Sequence, residues 1–559
     1  MDYKKEYGRW LEKAADADIR AELETMDEVT VEDAFYRDLA FGTGGLRGII
    51  GAGTNRMNVY VVAKASQGLA NYLGAGTTVV IGYDSRIKSD VFARTAAGVF
   101  AANGITVHFW PRLLPVPTVS FATRELKASA GVMITASHNP SQYNGYKVYG
   151  ADGCQITTEA AKSILAEINA LDIFADVKSM DYDAAVAAGK VKYIEDGILT
   201  AFIEQVKSQS VLFGDKINRD VAIVYSPLNG TGLVPVTRVL EESGFTNITV
   251  VEEQRNPDGG FPTCPCPNPE IREAMELGLE YCRRVDADLL LATDPDCDRC
   301  GIAVRNGNEY QLLTGNEVGL LLLDYICSQR IKHNQMPADP TFIKTIVTMD
   351  LAEKIAEHYG VKTVNVLTGF KFIGEVIGRM EDERNYICGF EESYGYLTGS
   401  YVRDKDGVNA AFMICEMFAY DKTRGLSLLD KLNELYETYG YCLNTLHSYE
   451  FPGSVGMEKM TEIMRSFHEG LESIGEIKIK RTEDYSVGLN GLPASDVLKY
   501  CYDSVKVNGS VVIRPSGTEP KLKAYISVTA QDWETAAATE KRITADLEKK
   551  MRGSVPNSV

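Results

Sequence analysis

Apolar residues keep no single period along the chain. Short β-branched runs, Thr77 to Tyr83, Ile105 to Trp110 and Gly131 to Ile134, alternate with helical spacing such as Asp90 to Ala102, which Asn103-Gly104 stops. The first forty residues read as acidic amphipathic helices, with Thr30 and Asp33 placed as a capping box ahead of Ala34 to Leu39. The strand–helix grammar then restarts three times. Val221 to Tyr225 precedes Asn229-Gly230-Thr231-Gly232 and a helix from about Val234. Thr341 to Thr348 precedes Asp350, read as an N-cap, and a helix to Tyr359. Val511 to Arg514 and Ala524 to Val528 precede a terminal helix, Trp533 to Met551. Such alternation predicts parallel strand pairing with helices on both faces. Candidate boundaries fall near Lys207 to Asp215, Asn306 to Glu309 and Thr438 to Cys442. Residue identities show no repeat, and low-complexity stretches are absent.

Composition narrows the class. A chain of 559 residues exceeds one hydrophobic core, so roughly three to five domains are expected. Its 45% hydrophobic and 24% charged content is that of a globular protein. No apolar run approaches the roughly 20 residues of a membrane helix, and Met1 to Arg20 lacks the apolar core of a signal peptide. A net charge of −19 argues against nucleic acid or an anionic membrane as partner. Eleven scattered cysteines without framework spacing read as reduced thiols, which places the chain in the cytoplasm. Cys297 and Cys300 form a lone C-x-x-C, read as two small residues beside acidic ligands rather than a redox or zinc motif.

Ligands of open α/β sheets sit beyond the carboxyl ends of strands, and the segments there carry the chemistry. After Gly131 to Ile134 comes Thr135-Ala136-Ser137-His138-Asn139-Pro140: a serine placed to attack, with His138 beside it to assist proton transfer or bind phosphate. No G-x-S-x-G elbow surrounds it, so a hydrolase of that type is a poor reading. After Asp288 to Ala292 comes Asp294-Pro295-Asp296-Cys297-Asp298-Arg299. Three carboxylates at alternating positions offer hard oxygen ligands suited to Mg²⁺, and they repel one another unless a cation joins them. Gly389 to Tyr396 presents Glu391, Glu392 and Ser393 on a Gly-bounded loop suited to sugar hydroxyls. Arg514-Pro515-Ser516-Gly517-Thr518-Glu519-Pro520 combines a guanidinium, two hydroxyls and Gly517 into an anion cradle, followed by Lys521 and Lys523. Phe41 to Gly48 is Gly-rich and carries Arg47.

These segments, in this order from about Phe41 to about Val528, resemble the α-D-phosphohexomutase superfamily. Gly389 to Gly395 and Arg403 to Gly407 are most similar to its phosphoglucomutase branch, the longer type related to bacterial phosphoglucomutase and animal phosphopentomutase. Pro295 and Cys297 replace glycines common in the metal loop, and Glu391-Glu392-Ser393 departs from the glutamate-methionine-serine form of many relatives. The resemblance implies an α/β fold: three consecutive mixed α/β sheet domains plus a smaller C-terminal α+β domain around a central cleft. The corresponding domains are 1–207, 208–308, 309–440 and 441–559.

The resemblance further implies that Ser137 carries phosphate, and that Mg²⁺ binds it with Asp294, Asp296 and Asp298. Lys147 and Lys405 match proton-transfer positions. Arg47, Arg299, Thr368, Gly369, Lys371 and Arg403 would line the site, and Glu391 and Ser393 would hold sugar hydroxyls. Arg514, Ser516, Gly517, Thr518 and Lys523 would grip the phosphate that does not react. The implied reaction interconverts glucose 1-phosphate and glucose 6-phosphate, with glucose 1,6-bisphosphate as intermediate and activator. A phosphopentomutase or phosphomannomutase stays open, as do a sugar-phosphate sensor and a metal-dependent phosphatase. Intact Ser137, Lys405 and aspartates speak against the sensor, and domain closure that excludes water speaks against the phosphatase. The partners expected are small sugar phosphates; monomer and dimer both fit.

Overall fold

Strand ends that emerge side by side explain why distant segments of this chain meet. A computed structural model describes residues 2–42, 44–156, 158–451, 453–516 and 521–552. The chain divides into two units, Met1–Gly315 with Gly369–Gly425, and Asn316–Thr368 with Leu426–Val559.

In the first unit, a six-stranded sheet runs in the order Gly45–Ile49, Tyr143–Gly150, Ala130–Ile134, Thr78–Tyr83, Thr106–Phe109, Val191–Tyr193. Its central pairs are parallel, and Tyr143–Gly150 pairs antiparallel with both neighbours. The mixed pairing follows from a short return after Ile134, which leaves no room for a crossover helix. Ala130–Ile134 is buried throughout, as a strand covered on both faces must be. Parallel register sets Tyr83 opposite Ile134, so the segments after both strands leave the sheet together. A second sheet repeats the device: Ser226 lies opposite Ala292 in parallel register, and Cys300–Asn306 returns antiparallel. Gly45 is forced. Its φ is +135°, and a Cβ there would lie 1.8 Å from the Tyr146 carbonyl oxygen.

The N-terminal helices are Tyr3–Lys13, Ala17–Leu23 and Glu28–Phe35. Trp10 and Phe35 are fully buried and pack edge to face. The expected cap at Thr30 is corrected. Asp27 is the N-cap, accepting from Thr30 N at 2.8 Å, because its carboxylate reaches the third helical N–H and Thr30 lies inside the turn.

In the second unit, Thr341–Thr345 and Lys362–Val366 pair in parallel. A six-stranded sheet, ordered Tyr441–Glu450, Lys521–Ala530, Val507–Pro515, Leu498–Asp503, Ile477–Asp484, Ser473–Ile474, is antiparallel throughout. Helix Trp533–Arg552 packs on it through Ala536, Ile543 and Leu547, all fully buried. The expected strand to Thr348 ends at Thr345, where Thr348 N turns back onto the Thr345 carbonyl. Asp350 occupies the N-cap position of Leu351–His358 but makes no cap hydrogen bond. Its carboxylate instead accepts from Lys499, Lys344 and Ser510, since a buried ammonium needs it more than a helix N–H that water can reach.

Candidate active site

Ser137 follows the buried strand Ala130–Ile134 and adopts a left-handed backbone, φ +54°, sparsely populated for a residue with a Cβ. Thr135 Oγ1 accepts from Ser137 N at 2.8 Å and donates to Asp296 at 3.1 Å, so one hydroxyl ties the serine turn to the acidic loop. Ser137 Oγ donates to Asp294 Oδ2 at 2.9 Å and lies 3.1 Å from His138 Nδ1. Burial, then the cations Arg299, Arg47, Arg86 and Lys405, hold His138 far below its ordinary range and therefore neutral. Arg47, exposed on the edge strand Gly45–Ile49, donates to Asn139 Oδ1 at 3.3 Å.

The acidic loop follows Leu289–Thr293. Asp294 Oδ1 accepts from Asp298 N and Arg299 N at 3.1 and 3.0 Å, and Cys297 supplies the left-handed turn, φ +51°. Asp294, Asp296 and Asp298 are fully buried, and one oxygen of each lies within 4.8 Å of the others. Lys147 reaches Asp296 at 2.9 Å and Asp298 at 3.3 Å, and Lys405 reaches Asp298 at 2.8 Å. Burial and the two neighbouring carboxylates push Asp294 well above the usual carboxylate range. Burial would raise Asp296 too, but Lys147 outweighs it and holds that carboxyl low. Oδ1 of Asp296 and Oδ1 of Asp298 are buried without a hydrogen-bond partner. Orphaned carboxylate oxygens in a dry site are costly, and a hard divalent cation satisfies them, so the residues present fit a metal. Both Cys297 and Cys300 are buried free thiols.

Around this cluster, Arg299 pairs with Glu270, and burial lowers its guanidinium to about 10. Burial raises the Glu391 carboxyl to about 7 against the pull of Lys405, and Glu391 accepts from Gly369 N at 3.0 Å. Ser393 sits half-buried in the same turn. Lys371 opens helix Phe370–Arg379, and burial lowers its ammonium to about 8. The Nη atoms of Arg403 bind the Ser400 and Val402 carbonyls and Glu383, while its Nε is buried without a hydrogen-bond partner.

The second unit holds Thr368, with a buried Oγ1 that has no hydrogen-bond partner, and the C-terminal loop. Arg514 and Lys523 are cross-strand partners, and Ser516 N donates to the Lys521 carbonyl at 2.7 Å, so three of the expected anion ligands share one hairpin end. Gly517 and Thr518 lie outside the described residues. Sequence reading passed over Asp84, Arg86, Phe261 and Cys266. The visible signal was Asp84-Ser85-Arg86 directly after a strong strand.

A serine held against a buried triad of carboxylates and two ammonium groups, on paired α/β sheets, defines a phosphoryl-transfer class of site. Residues 38–173, 200–307 and 314–439 match phosphoglucomutase/phosphomannomutase alpha/beta/alpha domains I, II and III, and 476–544 match the C-terminal domain. The phosphoglucomutase of Staphylococcus saprophyticus is 35% identical over 94% of this chain and 96% of its own length. The putative phosphomannomutase of Thermus thermophilus has a TM-score of 0.68 at 22% identity, covering 92% of this chain and 99% of that one. The Paramecium phosphoprotein pp63/parafusin, a phosphoglucomutase in open form, has a TM-score of 0.70 at 18% identity, covering 94% and 97%. The chain belongs to the phosphoglucomutase/phosphomannomutase family of the α-D-phosphohexomutase superfamily. It has that family's four-domain α/β architecture, with mixed sheets in three domains and a distinct C-terminal domain. The family's enzymes are phosphohexomutases, intramolecular phosphotransferases of the isomerase class.

Proposed function

We propose that this chain interconverts glucose 1-phosphate and glucose 6-phosphate through a phosphorylated Ser137. The observation that carries the reading is Ser137 Oγ 2.9 Å from Asp294, inside a buried cluster where acidic charge exceeds what Lys147 and Lys405 neutralise. The phosphoryl group leaves Ser137 Oγ for the 6-hydroxyl of glucose 1-phosphate, giving glucose 1,6-bisphosphate. That molecule turns end for end, and its 1-phosphoryl group passes back to Ser137 Oγ, releasing glucose 6-phosphate. Each transfer moves one proton from the attacking hydroxyl to the departing oxygen; Lys147 and Lys405, held charged beside Asp296 and Asp298, donate to the departing oxygen and are reprotonated by the proton the attacking hydroxyl gives up. His138, being neutral, hydrogen-bonds without adding charge. Asp294, Asp296, Asp298 and the phosphate on Ser137 would hold Mg²⁺, which when bound neutralises charge on the transferring oxygens. Glu391 and Ser393 orient the sugar hydroxyls, Arg47, Arg299 and Lys371 face its phosphates, and Arg514, Ser516 and Lys523 provide a phosphate site in the second unit. Thr368, Gly369 and Arg403 shape the loops around the sugar. The free thiols fit a reducing compartment such as the cytoplasm.

The test is a coupled assay comparing glucose 1-phosphate, mannose 1-phosphate and ribose 1-phosphate with bisphosphate present, beside intact-mass measurement of wild type and Ser137→Ala. Glucose 1-phosphate should be preferred, and one phosphate should appear on the wild type alone. Preference for mannose 1-phosphate or ribose 1-phosphate reassigns the sugar; absence of the phosphate removes Ser137.

A further inference from the structure

The geometry points to Arg86 as the positioning residue that holds the Ser137 turn in its reactive shape, with Phe261 of the following domain as its backstop. The proposal rests on the reading of Ser137 as phosphoryl carrier. Its physical basis begins with an accounting problem. The turn 135–143 leaves a buried strand, reverses through a left-handed serine and re-enters the sheet, so its carbonyls find few partners in regular structure. One guanidinium takes four of them. Arg86 Nη1 donates to the Pro140 and Tyr143 carbonyls at 2.9 and 3.0 Å, and Nη2 donates to the Ser137 carbonyl at 2.5 Å and to the Asn139 carbonyl. The carbonyl of the serine itself is among them.

The side chain can do this because it is fixed from every direction. It is fully buried beside Asp84, 3.5 Å from Nε to Oδ2. Asp84 in turn accepts from Arg86 N and Ser89 Oγ at 3.0 and 2.7 Å. The parallel register of Tyr83 with Ile134 launches the arginine and the serine from adjacent strand ends, so the reach is short. The segment 256–267 closes the far side: the Phe261 ring lies 5.1 Å from the guanidinium, and Gly259 packs so tightly on Ser85–Ile87 that a Cβ would lie 2.4 Å from Ile87 N. Cys266 Sγ lies 3.9 Å from the His138 carbonyl on the same face. Arg86 therefore does not touch substrate. It fixes the backbone that aims Ser137 Oγ, and a planar five-donor fork is the one side chain that spans four carbonyls at once.

Three variants test this: Arg86→Lys, which keeps the charge and loses the fork; Arg86→Ala; and Phe261→Leu, which keeps the fork and removes the ring. For Arg86→Lys, kcat with glucose 1-phosphate should fall about 100-fold, the scale of an ångström-level misplacement, while KM moves by less than about twofold. Hydrogen–deuterium exchange of the peptide 135–143 should rise, and Phe261→Leu should show a smaller change of the same kind. Methylguanidinium should restore part of kcat to Arg86→Ala where methylammonium does not, an outcome that general loss of packing cannot produce. Near wild-type kcat in Arg86→Lys, beside a wild type that carries phosphate on Ser137, overturns the proposal and leaves the mutase reading intact. A wild type without that phosphate overturns the mutase reading instead, and peptide exchange still decides the geometry: unchanged exchange in Arg86→Lys overturns the clamp. Should Arg86→Ala fail to fold, Arg86→Lys and Phe261→Leu carry the same comparison.

Discussion

Each unit of the molecule buries lysines against aspartates, and the two clusters are built differently. In the first unit, Lys147 and Lys405 meet Asp296 and Asp298, yet two carboxylate oxygens keep no hydrogen-bond partner and Asp294 is pushed toward the neutral form. In the second, Lys344 and Lys499 converge on Asp350, Ser510 completes its carboxylate, and Glu353 takes the remaining reach of Lys344 at 3.0 Å. The second cluster is a satisfied network and acts on stability. The first is under-satisfied by cation, which a folded protein tolerates only where something else binds.

The largest effect that separates them is on turnover. Ser137→Ala should lower kcat by roughly 10⁴-fold or more, the scale seen when a serine nucleophile is removed, while the melting temperature stays near wild type. Steady-state kinetics with thermal denaturation checks it. A variant within tenfold of wild type would remove the first cluster from the chemistry.

Next come matched aspartate variants. Asp294→Asn removes one of three crowded carboxylates, so the metal-free protein should melt no lower than wild type, whereas activity should fall by about 10²-fold or more and Mg²⁺ should no longer raise the melting temperature. Asp350→Asn should do the reverse, lowering stability by about 2 kcal/mol because two buried ammonium groups lose their counter-charge, the partial exposure of Asp350 moderating the loss. Denaturation of both variants with and without Mg²⁺ decides; equal destabilisation by the two would erase the distinction between the clusters.

Much of this site was legible because its chemistry is local. Thr135 to Pro140 and Asp294 to Arg299 each place their functional groups within a few residues after a strand, where the sheet fixes direction and the loop only has to turn. Strand positions were legible for the same reason, since buried runs such as Leu289–Thr293 carry their own apolar signal. What stayed hidden depends on register and packing. Arg86 reads as an ordinary charged residue until Tyr83 is set opposite Ile134. The tie between Arg403 and Glu383, 20 positions apart, is likewise invisible in the motif. Asp350 reads as a cap until Lys499 arrives from a strand nearly 150 positions on, a separation of 149. Thr30 shows a further failure: the helix expected over Ala34 to Leu39 is Glu28–Phe35, capped by Asp27, because two acceptable capping residues lay within one turn.

The smallest effect sharpens the contrast within the second unit, between its buried cluster and an ion pair at its surface. Burial pushes the Asp350 carboxyl up, but Lys499 and Lys344 outweigh it and hold it well below the usual range. Its contribution is therefore present above the ordinary carboxylate pKa and is lost as pH falls through the depressed value. His468 works with the opposite sign. It lies 2.9 Å from Asp496 and 3.1 Å from Asp484, and the Asp496 hydrogen bond leads in raising its pKa, with burial opposing. The stabilisation is then fully present below the ordinary histidine value of about 6.5 and disappears as pH rises through the raised one. Because its side chain is 29% exposed, solvent screening keeps the effect below about 1 kcal/mol. Melting curves of wild type and His468→Gln between pH 5 and about 9 should differ at the acid end and converge at the alkaline end. A gap that stays constant across that range would mean that His468 acts through packing alone, and the surface pair would carry no charge-dependent stability.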